Sequence, residues 1–186
     1  SIEHPYQHIQ DAIDASSDGD SIFVHKGIYY EHLYIGKSIK LIGEDKNTTI
    51  IDGQNRPFHH ITITRPNVEI TNFTIQNSID LKCGIVLYSS NNTIKGNIFK
   101  NNGYGLGLNP KSSNNTITEN LFTHNILFGM GIDTVTQINN CIENNIFKDN
   151  NIGLYIVNTY NTIRDNRFFN DGIFLSVLSD PLVVEI

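Results

Sequence analysis

Carboxylates, histidines and tyrosines are the side chains of this sequence that could do chemistry, and their spacing decides which chemistry is open. Cleavage of a glycosidic bond needs two carboxylates about 5 to 10 Å apart. Read as stacked coils, the chain has one outward strand column of Tyr88, Asn109, Asp133 and Val157 beside another of Val86, Gly107, Gly131 and Tyr155. Asp133 is the one carboxylate there, and it lacks the partner that acid–base hydrolysis requires. Tyr88, Asn109, Asp133 and Tyr155 are instead candidate ligand contacts, rings for the apolar face of a sugar and amide or carboxylate for its hydroxyls. A second column, Lys95, Thr118, Glu143 and Arg164 with Glu119 alongside, reads as a solvated ion pair between Glu143 and Arg164, with acid–base catalysis as the alternative. No catalytic residue is assigned.

The histidines do not gather into a metal site on paper. His4 and His8 have helical i, i+4 spacing, His59 and His60 are adjacent, and His124 falls in a turn column with Asn101 and Asp149. With a single methionine and no histidine-rich tract, copper has few of its preferred ligands. A calcium-assisted lyase would need several carboxylates and a base in one cleft, and none is seen. No metal and no cofactor is expected. Cys83 and Cys141 fall in different strands two coils apart, too far for a bridge, and read as small buried or semi-buried residues.

A repeat positions all of these groups. "NNTIKGNIFKNN" from Asn91 returns as "NNTITENLFTHN" from Asn114, "NNCIENNIFKDN" from Asn139 and "YNTIRDNRFFND" from Tyr160, with a degenerate copy at Asn67. Ile70, Ile94, Ile117, Ile142 and Ile163 are 24, 23, 25 and 21 residues apart, one solenoid coil each. Each coil should supply three short strands, around the isoleucine, around the Ile-Phe pair, and after the glycine at 84, 105, 129, 153 or 172. Stacking places Ile75, Phe99, Phe122, Phe147 and Phe168 in one buried column and Ile85, Leu106, Met130 and Leu154 in another, about 4.8 Å apart. Asn97, Asn120, Asn145 and Asn166 form an amide column, replaced by Phe73 in the degenerate coil, that bonds coil to coil while turning the backbone. That ladder also generates most of the Asn-X-Thr strings that resemble glycosylation sequons.

Ahead of the repeats, "HPYQHIQDAIDA" predicts an amphipathic cap helix over about 4–16, closing the open end of the first coil. Coils fill 20–176, with Ile22 and Val24 aligned on Ile39 and Leu41 at a spacing of 17 residues, and 177–186 forms a tail or second cap. On the second sheet Thr74, Ile98, Leu121 and Ile146 should face out. The aliphatic stripe Ile98, Leu121 and Ile146, rimmed by Lys100, Thr123 and Lys148, suits a weak homodimer, as does the tail, unless the Gln54 to His59 loop covers the stripe.

Composition narrows the function. At 186 residues and 39% hydrophobic the chain can fold as one domain over 1–186. A net charge of −6 with 13 scattered Lys and Arg argues against nucleic acid as a partner. No apolar run is long enough to span a membrane. A start at Ser1 suggests a processed exported protein or a fragment of a larger surface protein.

The repeats, typified by "SSNNTITENLFTHN…GMGI", resemble the right-handed parallel β-helix superfamily, in particular NosD-type periplasmic proteins and carbohydrate-binding and sugar-hydrolase β-helix domains. The leader "IQDAID…GDSIFVHKGIYYEHLYIGKSIKLIGEDKNTTIIDG" resembles the opening of pectin methylesterases. The resemblance implies an all-β fold, a single-stranded right-handed parallel β-helix of three short parallel sheets with an N-terminal capping helix. The methylesterase set of two Asp and an Arg is absent. Together these features point to a non-catalytic domain at the cell surface, outside the cell or in the periplasm, that binds polysaccharide or surface glycan or acts as a rigid spacer. The alternative is a polysaccharide-active enzyme, or part of one.

Overall fold

Short β-rich runs broken every few residues by asparagine or glycine cannot pair with their sequence neighbours, so each pairs with its equivalent one coil away. The computed structural model describes residues 6–110, 112–132, 136–157 and 160–175. Its strands form three parallel sheets of seven, a parallel β-solenoid. One regular coil contributes Thr93–Lys95 to the first sheet, Ile98–Lys100 to the second and Tyr104–Leu108 to the third. The sheets begin at Ser21–Val24, Gly27–Tyr29 and Leu33–Ile35, and end at Thr162–Arg164, Arg167–Phe169 and Gly172–Leu175.

Like stacks on like inside. Leu41, Ile70, Ile94, Ile117, Ile142 and Ile163 are paired in order along the first sheet and all are buried. The second sheet aligns Ile75, Phe99, Phe122, Phe147 and Phe168, with adjacent phenyl rings 4.8 to 4.9 Å apart and nearly parallel. Phe168, last in the stack, is only partly buried. The expected glycines are the second residues of their strands rather than the residues before them. A methyl group on Gly129 would lie 2.5 Å from the Gly153 carbonyl and 2.9 Å from the Phe147 ring, so the phenyl stack leaves no room for a side chain there. Gly172 breaks the series: it opens its strand and pairs with Ile152 across a register shift.

Asparagine forms three ladders where one was expected. Asn92, Asn115, Asn140 and Asn161 make one, Asn97, Asn120, Asn145 and Asn166 the second, and Asn102, Asn125 and Asn150 the third, which ends on Asp171. The backbone N–H of Asn97 donates to Asn120 Oδ1 at 2.9 Å, and the Asn120 amide donates to the Ile94 carbonyl at 2.8 Å and to Asn145 Oδ1 at 3.0 Å. Turning the backbone falls to other residues. In the regular coils left-handed residues stand just before ladder members, and in the pairs opened by Asn91, Asn101, Asn114, Asn139 and Asn144 the first asparagine bends the chain and the second bonds the coils.

The first coils solve the same problems with individual side chains. The cap helix spans Ile9–Ala15, shorter than expected, with Ile9 and Ile13 buried on the core; His4 and Pro5 lie outside the described residues. Glu31 accepts the N–H groups of Ile9 and Gln10 at 2.9 and 3.0 Å, and Lys37 donates to the carbonyls of Ile13, Asp14 and Ser16. An anion at the N-terminus and a cation at the C-terminus also match the helix dipole. Gln10 bonds both the N–H and the carbonyl of Tyr34, closing part of the third sheet's edge as a strand would. In the first sheet Ile22 pairs with Leu41 and Val24 with Gly43, a spacing of 19 residues in place of the expected 17.

Candidate functional site

Outward side chains of the third sheet build a groove. Val86, Gly107, Gly131, Tyr155 and Phe174 stack in one outward column. Two successive glycines leave a gap that the neighbouring column fills from the side: the Phe128 ring lies 3.7 Å and the Tyr104 ring 4.0 Å from where a Gly131 methyl would stand. The depression holds about 210 Å³ and is lined by His59, Leu81, Cys83, Val86, Tyr104, Asn109, Phe128 and Tyr155 together with the two glycines and Leu108.

The rings are not equivalent. Phe128, Tyr155 and Phe174 stack face to face, centroids 4.8 Å apart and tilted by only 13° and 8°. Tyr155 therefore has both faces covered, and only its edge and hydroxyl remain for a ligand. Tyr104 is turned 64° from Phe128 at 5.1 Å, an edge-to-face contact instead of a stacked one. Sequence reasoning missed Tyr104. The signal was the glycine three positions on, at 107, paired with the glycine at 131 in the next coil, over which the Tyr104 ring leans.

Of the four predicted contacts, the structure brings Asn109 and Tyr155 together in this groove. Tyr88 neighbours the same sheet but is not among the lining residues, and its ring is exposed. Asp133 lies outside the described residues. His59 joins the site unpredicted. Its Nδ1 accepts the Cys83 N–H at 3.0 Å, which places the ring proton on Nε2. Burial, then the nearby Lys82, hold its pKa below the usual histidine value.

Beneath the groove's rim, His60 is fully buried with neither ring nitrogen hydrogen-bonded. Its ring occupies the space over Gly53, where a methyl group would come within 1.7 Å. Burial lowers its pKa to about 4; His32 and His59 act in the same direction, and Asp52 and the Gln76 backbone oppose. Asp52 is no catalytic partner for it. Burial pushes the Asp52 carboxyl up, but the Gln54 N–H and the Gln76 and Asn77 amides outweigh this and hold it below its ordinary value.

The other predicted groups are surface features. Arg164 grips Glu143 with two nitrogens at 2.6 and 2.7 Å, and Lys95 pairs with Glu119 at 3.3 Å, cross-coil ion pairs on the first sheet. His8 is exposed, and His124, a left-handed turn residue, bonds the adjacent Thr123. In the proposed interface stripe, Ile98 and Leu121 are half-buried and Ile146 is exposed. Thr74, expected outside with them, is buried, its hydroxyl donating to the Lys46 carbonyl at 2.6 Å. The Gln54 to His59 loop does not serve as the stripe's cover: Phe58 packs on His32 and His59 bonds Cys83, on the third-sheet side.

Residues 13–180 match the family described as periplasmic copper-binding protein (NosD). The chain belongs to the NosD family. No curated protein sequence matches it. Among solved structures, it is similar to the pectin methylesterase from Yersinia enterocolitica, at 18% identity and a TM-score of 0.58, over 78% of this chain and 56% of that one. It is also similar to a pectin methylesterase mutant in complex with a hexasaccharide, at 14% identity and a TM-score of 0.63, over 96% of this chain and 64% of that one. At these identities the likeness is one of fold, and this NosD-family chain spans about three-fifths of those proteins. No helix among the described residues is long and apolar enough to cross a membrane.

The family description raises copper, and the donors among the described residues do not fit it. Among the described residues no three His, Cys, Asp or Glu side chains are grouped to hold a metal ion. Met130 is wholly inside the core, and Cys83 and Cys141 lie on different sheets. His32, His59 and His60 come close, but they do not converge. The Nδ1 of His32 donates to the His59 carbonyl, Nδ1 of His59 is taken by Cys83, and His60 is sealed from solvent.

Proposed function

We propose that this NosD-family chain is a non-catalytic, exported β-helix domain that binds glycan on the outer face of its third sheet. The observation carrying this reading is the groove itself, in which the Asn109 amide, the His59 imidazole and the Tyr155 edge and hydroxyl gather beside Tyr104 and Phe128 over the glycines at 107 and 131. A sugar offers an apolar face and a rim of hydroxyls, and those are the surfaces such a site complements. The family's periplasmic description and the polysaccharide-active neighbours of the same fold agree with an exported glycan-binding role. Among the described residues that line the groove there is no pair of carboxylates of the kind a glycosidase uses.

A glycan array with the native chain and Tyr104→Ala tests this, paired with an assay for released reducing ends and unsaturated products. Binding without turnover, weakened by the substitution, is the expected result. Turnover would favour the enzyme reading, and no binding to any glycan would leave a rigid spacer.

A further inference from the structure

Resting on the glycan-binding reading, we infer that His59 is a specificity-determining donor of the third-sheet groove: its Nε2–H, held in one tautomer by the main chain of the next coil, bonds an oxygen of the bound sugar. His59 stands two residues before Ile61 as Cys83 stands two before Ile85, and those two isoleucines pair. It therefore opens the column that Cys83, Tyr104, Phe128 and Ile152 continue. Further along this column a main-chain N–H reaches a carbonyl of the coil before: Tyr104 donates to Lys82 at 2.9 Å and Ile152 to Leu127 at 3.1 Å. At Cys83 the acceptor is instead a side chain, Nδ1 of His59 at 3.0 Å, while the Cys83 carbonyl takes the His60 N–H at 3.2 Å.

A ring that stands in for a rung of the sheet is constrained as a surface histidine is not. Nδ1 can accept only without a proton, so the neutral ring carries its proton on Nε2. Burial, then Lys82, favour that neutral form. The ring lines the groove, and its Nε2–H has no hydrogen bond among the described residues. Nor is it sealed: the buried side-chain nitrogens without a partner are the two of His60. Asn109, Tyr104 and Tyr155, which line the same groove, can each donate or accept, whereas His59 in this tautomer can only donate from its open nitrogen. It therefore asks for an oxygen at one place on the ligand, a hydroxyl or a ring oxygen. A sugar with only a C–H there leaves the donor unpaired, and a site built around a hydrogen bond rejects such an analogue.

Calorimetric titration at pH 7.5 with cellohexaose, xylohexaose, maltohexaose and hexagalacturonate finds a sugar that binds, and two substitutions at position 59 then separate the donor from the scaffold. His59→Asn keeps an oxygen near the place of Nδ1 for the Cys83 N–H but has no N–H at the reach of Nε2. It should melt with the native chain and bind about three- to ten-fold more weakly, the worth of one neutral hydrogen bond. His59→Gln, whose amide extends to the place of Nε2, should recover most of that loss. Long-range 1H–15N spectra of the native imidazole should show Nε2 protonated without sugar and its resonance shifted with sugar. Native-level binding by His59→Asn overturns the inference and leaves the glycan-binding reading standing. A loss that His59→Gln does not relieve assigns the effect to the shape of the ring and also overturns it, as does a neutral ring protonated on Nδ1. No binding to any hexamer overturns both.

Discussion

The regular coils from Asn91 onward and the leader coils before Gly53 solve one problem in two ways. Both must satisfy backbone groups where the chain turns inside a stack of strands. In the regular coils the solution is the repeat itself: each ladder asparagine accepts from the coil before and donates to the coil after, so one residue type at one position satisfies every level. In the leader the work is spread over unlike side chains, Glu31, Lys37, Gln10 and Asp52, each reaching a different partner. The leader also leaves His60 buried and unbonded, which the ladders never do to an asparagine. Periodicity makes polar satisfaction self-templating; without it, each bond must be found separately, and one was not.

The strongest way to break this contrast is to remove a rung from the regular core. Phe122 is stacked between Phe99 and Phe147 and fully buried. Phe122→Ala should cost about 3 to 5 kcal/mol in urea unfolding. A loss below about 1 kcal/mol would mean that the stack closes over the gap and that the register carries less of the stability than the packing suggests.

Next in size is a polar rung. Asn120→Ala removes the acceptor for the buried Asn97 N–H and the donor to Ile94, and should cost about 1 to 3 kcal/mol for the groups left unpaired. Asn120→Asp sharpens the test. It keeps the acceptor but loses the two amide donations, so a loss close to that of alanine would show that the ladder needs both halves of the amide.

These effects follow from features that were plain in the sequence. Isoleucine spacing fixed the coil, and the Phe and Ile columns were placed correctly because an exact repeat leaves one register. Two of the three asparagine ladders were not read, since in "NNTI" and "KNN" the two asparagines look alike and only φ separates the one that bends from the one that bonds. In the leader, where nothing repeats, the first coil was misaligned by two residues. The candidate site was half legible. Asn109 and Tyr155 could be placed from strand alternation, but the edge-to-face set of Tyr104 on Phe128 depends on side chains leaning across Gly131, and alternation says nothing about lean.

The leader's unbonded histidine gives a smaller effect with a definite sign. His60 titrates near its ordinary value of about 6.5 when unfolded and at about 4 when folded, so the unfolded chain binds the extra proton first. Its contribution is complete above about pH 6.5 and is lost as pH falls toward 4. Between pH 7.5 and 6 the loss should be on the order of 1 kcal/mol, read as a shift in urea midpoint. His59, lowered in the same direction, adds to the slope. The carboxyl of Asp52 stays ionised over this range and does not contribute to it, since its pKa is lowered from 3.8. In His60→Asn the slope should flatten; an unchanged slope would assign it to other groups.

The smallest expected effect is the most discriminating between the two regions. Glu31 holds the N-terminal N–H groups of the cap helix across 22 residues of sequence, and Glu31→Ala leaves those donors to water. The loss should be a few tenths to about 1 kcal/mol, within the range for a helix cap. Its location matters more than its size. In a solenoid each coil touches only its neighbours, so the end can fray while the centre holds. Amide hydrogen exchange should therefore speed up at Ile13 and across Leu33–Ile35, which the helix covers, and stay unchanged at Ile117 and Phe122 in the ladder region. Gln10 still bonds Tyr34 in the variant, so the third sheet's edge should lose protection less than the helix does. If exchange rises equally along all coils, the leader and the ladders unfold as one cooperative unit, and the division drawn between them is one of bonding alone and not of stability.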